Sequence, residues 1–152
     1  MELKVEDLMT QRISTVEEKD PIWEILIKLN VERGVLLVCV VDKENKLKGV
    51  VTPRRILKAM ALSKFGMMRQ PSLEWGDAIS YLTSQYAGEI MGPPICVHRG
   101  DNIIDAINLM IDKNMYTLPV VDKQFKVVGR IGFYNIVDSW TESLRIQGEQ
   151  QE

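Results

Sequence analysis

The chain has 152 residues, 45% hydrophobic, 26% charged and 7% aromatic, which is the composition of a globular domain and not of a disordered or fibrous chain. Nineteen Lys and Arg against 21 Asp and Glu give a formal charge of −2, so the basic footprint of a nucleic-acid binder is missing. The longest apolar run, Val35–Val41, is far short of a membrane span, and no signal-peptide core follows Met1-Glu2-Leu3-Lys4.

In chain order, Asp20-Pro21 reads as N-cap and first helical residue, and Ile22, Ile25, Leu26 and Leu29 continue at helical spacing. Val35–Val41 is a β-branched strand candidate. Asp42-Lys43-Glu44-Asn45-Lys46 is a polar hairpin turn, Leu47–Val51 the return strand, and a second helix runs from about Pro53 to Ser63. The segment Ala61–Tyr86 is broken at Phe65-Gly66 and Gln70-Pro71-Ser72, then holds a short helix carrying Trp75, Ala78, Ile79 and Leu82. Behind Asp101, the residues Ile103, Ile104, Ile107, Met110 and Ile111 predict another helix. Thr117–Val121, the turn Asp122-Lys123-Gln124 and Val127–Ile131 form a second hairpin, followed by a helix from about Phe133 to Arg145. The tail after Thr141 is polar and expected to fray.

This order is a duplication. Met9 falls on Met91, Ile13 on Ile95, Val40-Val41-Asp42-Lys43 on Val120-Val121-Asp122-Lys123, Lys46 and Gly49 on Lys126 and Gly129, and Ile56 on Ile136. The predicted fold class is α+β: two pseudo-symmetric helix-strand-strand-helix repeats packed through their sheets. The divisions are repeat one at 1–60, a connector at 61–86, repeat two at 87–146 and a polar tail at 147–152. Repeats of about 55 residues are near the size at which one core is marginal, so the two are expected to bury their sheets together.

Both halves resemble the cystathionine β-synthase (CBS) domain, and the chain is similar to a tandem CBS pair, or Bateman module. The family's V-x-[DE]-[LI]-M lead-in reads Val5-Glu6-Asp7-Leu8-Met9 and Ala87-Gly88-Glu89-Ile90-Met91. Its P-V-V-D strand reads Leu118-Pro119-Val120-Val121-Asp122, and Cys39-Val40-Val41-Asp42 with Cys in place of Pro. The resemblance implies a non-enzymatic regulatory module that binds AMP, ADP, ATP or S-adenosylmethionine between repeats, forms a homodimer through its helices, and acts on a protein partner in trans. Trp23 and Trp140 are candidates for the dimer interface.

The same resemblance nominates the ligand residues. In the family's G-[IV]-[IV]-T-x-x-D segment a Thr can contact phosphate and cap the next helix, and the Asp accepts from both ribose hydroxyls. Repeat one has Thr52-Pro53-Arg54-Arg55, with Arg55 at the Asp position; repeat two has Gly132-Phe133-Tyr134-Asn135, with Asn135 there and Gly132 in place of Thr. An Asp-to-Asn exchange costs on the order of 1–3 kcal/mol of such binding. A guanidinium only donates, so Arg55 suits an anion, with two solvated or carboxylate-paired arginines as the plainer alternative. The adenine would meet Ile13, Ser14, Thr15, Ile95, Cys96 and Val97, with Leu36 and Tyr116 lining the cleft and Tyr116 or Tyr134 stacking. For Ile13, Ile95 and Leu36 the alternative is a place in the core, and for Tyr116 and Tyr134 an amphipathic surface role.

Cys96 and His98 would share one face of a strand, but His98 is the sole histidine and neither a metal set nor an acid–base pair accompanies it. Cys39 and Cys96, both in apolar surroundings, are not a disulfide framework and imply a reducing compartment. A cytoplasmic location, no nucleic acid and no membrane insertion are therefore expected. Met60, Met67 and Met68 read as packing residues or as an adaptable apolar contact. The leading function is a nucleotide or anion sensor. Its alternative is a dimeric interaction scaffold whose degenerate sites bind no nucleotide.

Overall fold

The structure, a computed structural model, describes residues 2–59 and 85–151. The end of the helix expected after Pro53, Met60, Met67 and Met68, and the connector's breaks and short helix lie outside these residues. The elements are α1 (Val5–Leu8), β1 (Thr15–Glu17), α2 (Ile22–Val31), β2 (Val38–Val41), β3 (Leu47–Val51), α3 (53–59), α4 (Ala87–Ile90), β4 (Val97–His98), α5 (Ile103–Lys113), β5 (Thr117–Val121), β6 (Val127–Gly132) and α6 (Phe133–Gln151). The chain is α+β and its two halves repeat one plan. Each half carries a third strand beyond the helix-strand-strand-helix reading: β1 runs parallel to β2 and β4 parallel to β5, giving sheets ordered β1-β2-β3 and β4-β5-β6. Strands this short leave no alternation to read.

Two compact units result, a first of Ser14–Ile95 and a second of Met1–Ile13 with Cys96–Glu152. The lead-in of each repeat is thus built into the unit that holds the other repeat's sheet. In the first unit the N–H groups of Ala87 and Gly88 donate to the carbonyls of Asp20 (2.8 Å) and Glu18 (2.9 Å), and that of Ile22 to Gln85 (2.9 Å). In the second, the N–H groups of Val5 and Glu6 donate to Asp101 and Arg99, and that of Ile103 to Leu3, all at 2.9 Å. Val5 and Ala87, the matched residues, are fully buried.

The first unit's core gathers Val16, Ile22, Ile25, Val38, Val40, Val51, Ile56, Ala87 and Ile90. On α2, Ile22 and Ile25 are buried and Leu26 and Leu29 pack beside them, while Trp23, Ile27 and Val31 face outward, as a helix with one apolar stripe requires. Ile103, Ala106 and Met110 are the buried face of α5, and Ile104 and Ile111, expected on that stripe, are exposed. Asp20 and Asp101 do not cap helices. Their carboxylates accept from the N–H groups of Glu17 and His98 (2.8 Å each), and Pro21 and Asn102 occupy the N-caps.

Both hairpins turn on an aspartate. Asp42 Oδ1 accepts from the N–H groups of Glu44 and Lys46, and Asp122 Oδ1 from those of Gln124 and Lys126, each at 2.9 Å. The Lys46 bond leads the causes that hold the Asp42 carboxyl below its ordinary range, against a smaller opposing pull from desolvation. The apolar run 35–41 is only partly strand, because Leu36 takes a left-handed conformation at φ 54°. Helix α6 extends to Gln151 where fraying was expected. Its polar end is held by Arg145, which donates to Glu142 (2.6 Å) and Glu149 (2.8 Å) at helical spacing.

After each short lead-in helix the chain crosses the last strand of its unit. Thr10 and Arg130 exchange two 2.8 Å backbone bonds, and Gly92 and Val50 exchange bonds of 2.7 and 3.2 Å. This approach requires glycine beneath it. A Cβ on Gly129 would lie 2.3 Å from the Thr10 carbonyl oxygen, and one on Gly49 2.5 Å from that of Gly92. Gly129→Ala and Gly49→Ala should each lower unfolding free energy by about 1–3 kcal/mol in denaturant titrations. Gly100→Ala, with nothing within 4 Å, should change it far less.

Candidate functional site

In the first unit the β3–α3 corner carries Thr52, Arg54 and Arg55. The Thr52 carbonyl accepts from the N–H groups of Arg55 (3.0 Å) and Ile56 (3.2 Å), so Thr52 stands at the N-cap and Pro53 at the first helical position. Arg54 and Arg55 are exposed. The Arg55 guanidinium lies across the lead-in, donating to the Met91 carbonyl at 3.4 Å. It occupies the place of a side chain on Gly92, whose Cβ would fall 2.4 Å from Arg55 Nε. Ser14 and Thr15 enter β1, where the Ser14 carbonyl accepts from Cys39 N–H (3.0 Å) and the Thr15 carbonyl from Lys28 Nζ. Leu36 is half exposed in its left-handed turn, and Ile95 is partly buried at the end of the unit.

The matching corner of the second unit is filled differently. Asn135 Oδ1 accepts from Gly132 N–H (2.8 Å), and Asn135 Nδ2 donates to Thr10 Oγ1 (2.9 Å). At Gly132, where the family has Thr, a Cβ would lie 3.1 Å from Thr117 Oγ1 and 3.2 Å from the Tyr116 carbonyl oxygen, a tight fit. That carbonyl accepts from Phe133 N–H (2.9 Å), which joins Tyr116 to the corner. Tyr116 and Tyr134 are both 66% exposed, and the Phe133 and Tyr134 rings meet edge-on at 5.3 Å. An open depression beside Asn135 is lined by Asp7, Asp138 and Glu142 with Leu8, Ser139 and Ser143.

Ile13 and Cys96 are partly buried in the second unit, and Val97 is buried in β4 opposite Val120. Burial, with a smaller contribution from Asp101, pushes the Cys96 thiol up to about 11, so it is a poor nucleophile at neutral pH. His98 is exposed, its N–H bonded to the Asp101 carboxylate and its ring 6.3 Å from that of Phe125. Among the described residues no three His, Cys, Asp or Glu gather as metal ligands. Sequence reasoning missed Thr10, Met91 and Gly92, although the repeat alignment places Thr10 opposite Gly92 just as it places Asn135 opposite Arg55.

Two copies of one plan, each ending in a modified T-x-x-D corner, match the CBS domain at residues 5–62 and 87–141. The chain belongs to the CBS domain family. A CBS domain-containing protein from Thermotoga maritima is 30% identical, with a TM-score of 0.75 over 92% of this chain and 96% of that one. CBSX2, solved in complex with AMP, is 28% identical, with a TM-score of 0.69 over 95% of this chain and 98% of that one. The chloroplastic CBS domain-containing protein CBSX1 of Arabidopsis thaliana is 29% identical over 88% of this chain. The chain spans 18%, 59% and 25% of the curated relatives it matches. No helix among the described residues is long and apolar enough to cross a membrane.

Two outcomes follow from these CBS corners. Gly92→Ala should displace the Arg55 guanidinium without unfolding the protein, because the colliding atoms are the free end of a long side chain; crystallography of the variant reads the new rotamer. Cys96 should react with thiol reagents slowly at pH 8 and faster as pH rises toward 11. Because its folded value exceeds the ordinary 9.0, stability should fall with rising pH between about 9 and 11, a dependence that Cys96→Ser removes from urea titrations.

Proposed function

We propose that this chain is a non-enzymatic, ligand-sensing CBS-pair protein that binds an adenosine-containing nucleotide at its first unit and signals to a protein partner in trans. The observation that carries the reading is Arg55, an exposed guanidinium laid over Gly92 beside Thr52. It cannot accept from a ribose hydroxyl, but it can donate two parallel bonds to a phosphate. The AMP complex of CBSX2, 28% identical across nearly the whole chain, supports the ligand class. The two exposed arginines at this corner, Arg54 and Arg55, favour AMP, ADP or ATP over S-adenosylmethionine, whose sulfonium adds positive charge. To signal, the nucleotide must bind one of two arrangements better than the other.

Calorimetric titration with AMP, ADP and ATP tests this reading. Arg55→Ala should weaken binding about 10- to 100-fold, the value of a charge-assisted hydrogen bond. Failure of all three nucleotides to bind would overturn it.

A second reading, the homodimeric scaffold without nucleotide, is favoured by the outward apolar side chains Trp23, Trp140 and Leu144, respectively 48%, 59% and 67% exposed. Sedimentation separates the contributions. A dimer dispersed by Trp23→Lys or Trp140→Lys while nucleotide binding is absent would leave the scaffold as the function.

A further inference from the structure

We infer that Asn135 is a positioning residue that clasps the lead-in segment through Thr10, and that the β6–α6 corner therefore takes no nucleotide; only the first unit does, one per chain. The inference rests in part on the nucleotide reading above, but the clasp is separately testable.

The carboxamide is assigned by its partners. Gly132 N–H can only donate, so Oδ1 faces it, and Nδ2 is left to donate to the Thr10 hydroxyl oxygen. One side chain thus joins three pieces of backbone: the end of β6, the start of α6 and the segment leading away from α1. The position that serves ribose in the family is committed within the protein. A sugar hydroxyl would have to share an oxygen that already accepts at 2.8 Å or a nitrogen that already donates at 2.9 Å, and would gain only a neutral partner in place of the family's carboxylate.

The surroundings oppose a phosphate as well. Asp7 and Asp138 line the depression that Asn135 borders, with Glu142, which is paired with Arg145, and Gly132 brings no hydroxyl. In the first unit the pair is reversed. The residue matched to Thr10 is Gly92, which makes no side-chain bond, and the residue matched to Asn135 is Arg55, which uses the room that glycine leaves. Thr10 with Asn135 and Gly92 with Arg55 are matched pairs, the first closing a corner and the second presenting a cation.

The test is calorimetry with AMP on the full chain, together with a thermal double-mutant cycle. AMP should saturate at one per chain. Asn135→Ala and Thr10→Val should each lower Tm by about 3 °C or more, the double variant should lose little beyond the larger single loss, and AMP affinity should stay within about twofold throughout. Asn135→Asp, which keeps an acceptor for Gly132 N–H and can accept a hydrogen bond from the Thr10 hydroxyl, should restore most of the lost Tm. Two AMP per chain, or a tenfold loss of affinity in Asn135→Ala, would overturn the inference. So would additive losses of Tm. If AMP does not bind at all, the nucleotide reading falls, and a non-additive cycle with rescue by Asn135→Asp still establishes the clasp.

Discussion

The structure depends on one close backbone approach, made once in each unit. The segment after a four-residue helix lies across the last strand of a sheet, and exchanges two hydrogen bonds with it at Thr10–Arg130 or Gly92–Val50. That proximity is possible only because Gly129 and Gly49 have no Cβ. In a sheet this small the approach decides a great deal. It pairs backbone groups that would otherwise be edge groups, it fixes where α1 and α4 dock, and it sets a side chain from the lead-in against the corner where the next helix starts. The lead-in comes from the other repeat, so neither repeat furnishes a complete unit from its own sequence.

The same backbone frame supports two different chemistries. With the crossing fixed, the lead-in residue and the corner residue face one another. A hydroxyl at position 10 provides an acceptor for the Asn135 amide. A bare Gly92 leaves a hollow that the Arg55 guanidinium fills, and a side chain on Gly92 would displace it. An arginine opposite Thr10 would meet a β-branched side chain, and an asparagine opposite Gly92 would find no acceptor side chain. The two corners that lack the family's aspartate therefore differ in kind: the residue at each suits the lead-in residue it faces.

Much of the fold was legible because its signals are local. The duplicated Val-Val-Asp-Lys, the β-branched strands and the helical spacing of Ile22, Ile25, Leu26 and Leu29 are readable in short windows. The parallel strands β1 and β4 were not, since two or three residues show no period and their partners lie more than twenty residues away. The pair Asp20-Pro21 reads as N-cap and first helical residue, but Asp20 lies one residue ahead of the cap and its carboxylate reaches the preceding turn instead. Leu36 interrupts an apolar run that composition reads as unbroken strand, and the α6 tail is polar yet helical because Arg145 has glutamates three residues before it and four after. For the site, the family motif led to Arg55 and Asn135. Their partners Thr10 and Gly92 escaped notice because they lie 125 and 37 positions away in the chain; only comparing the two repeats column by column brings each pair together.

On the nucleotide reading, the geometry also says how occupancy would be felt. Arg55 is tied to the lead-in by a 3.4 Å bond to the Met91 carbonyl, long enough to be weak. A phosphate that draws the guanidinium away removes that tie and leaves the hollow at Gly92 empty. The segment Met91–Ile95 is the stretch of chain that continues into Cys96 and the second unit, so a change in how it is held is passed on covalently. The clasp at Asn135, by contrast, is hydrogen-bonded at normal length at both ends, so its lead-in has no comparably weak tie.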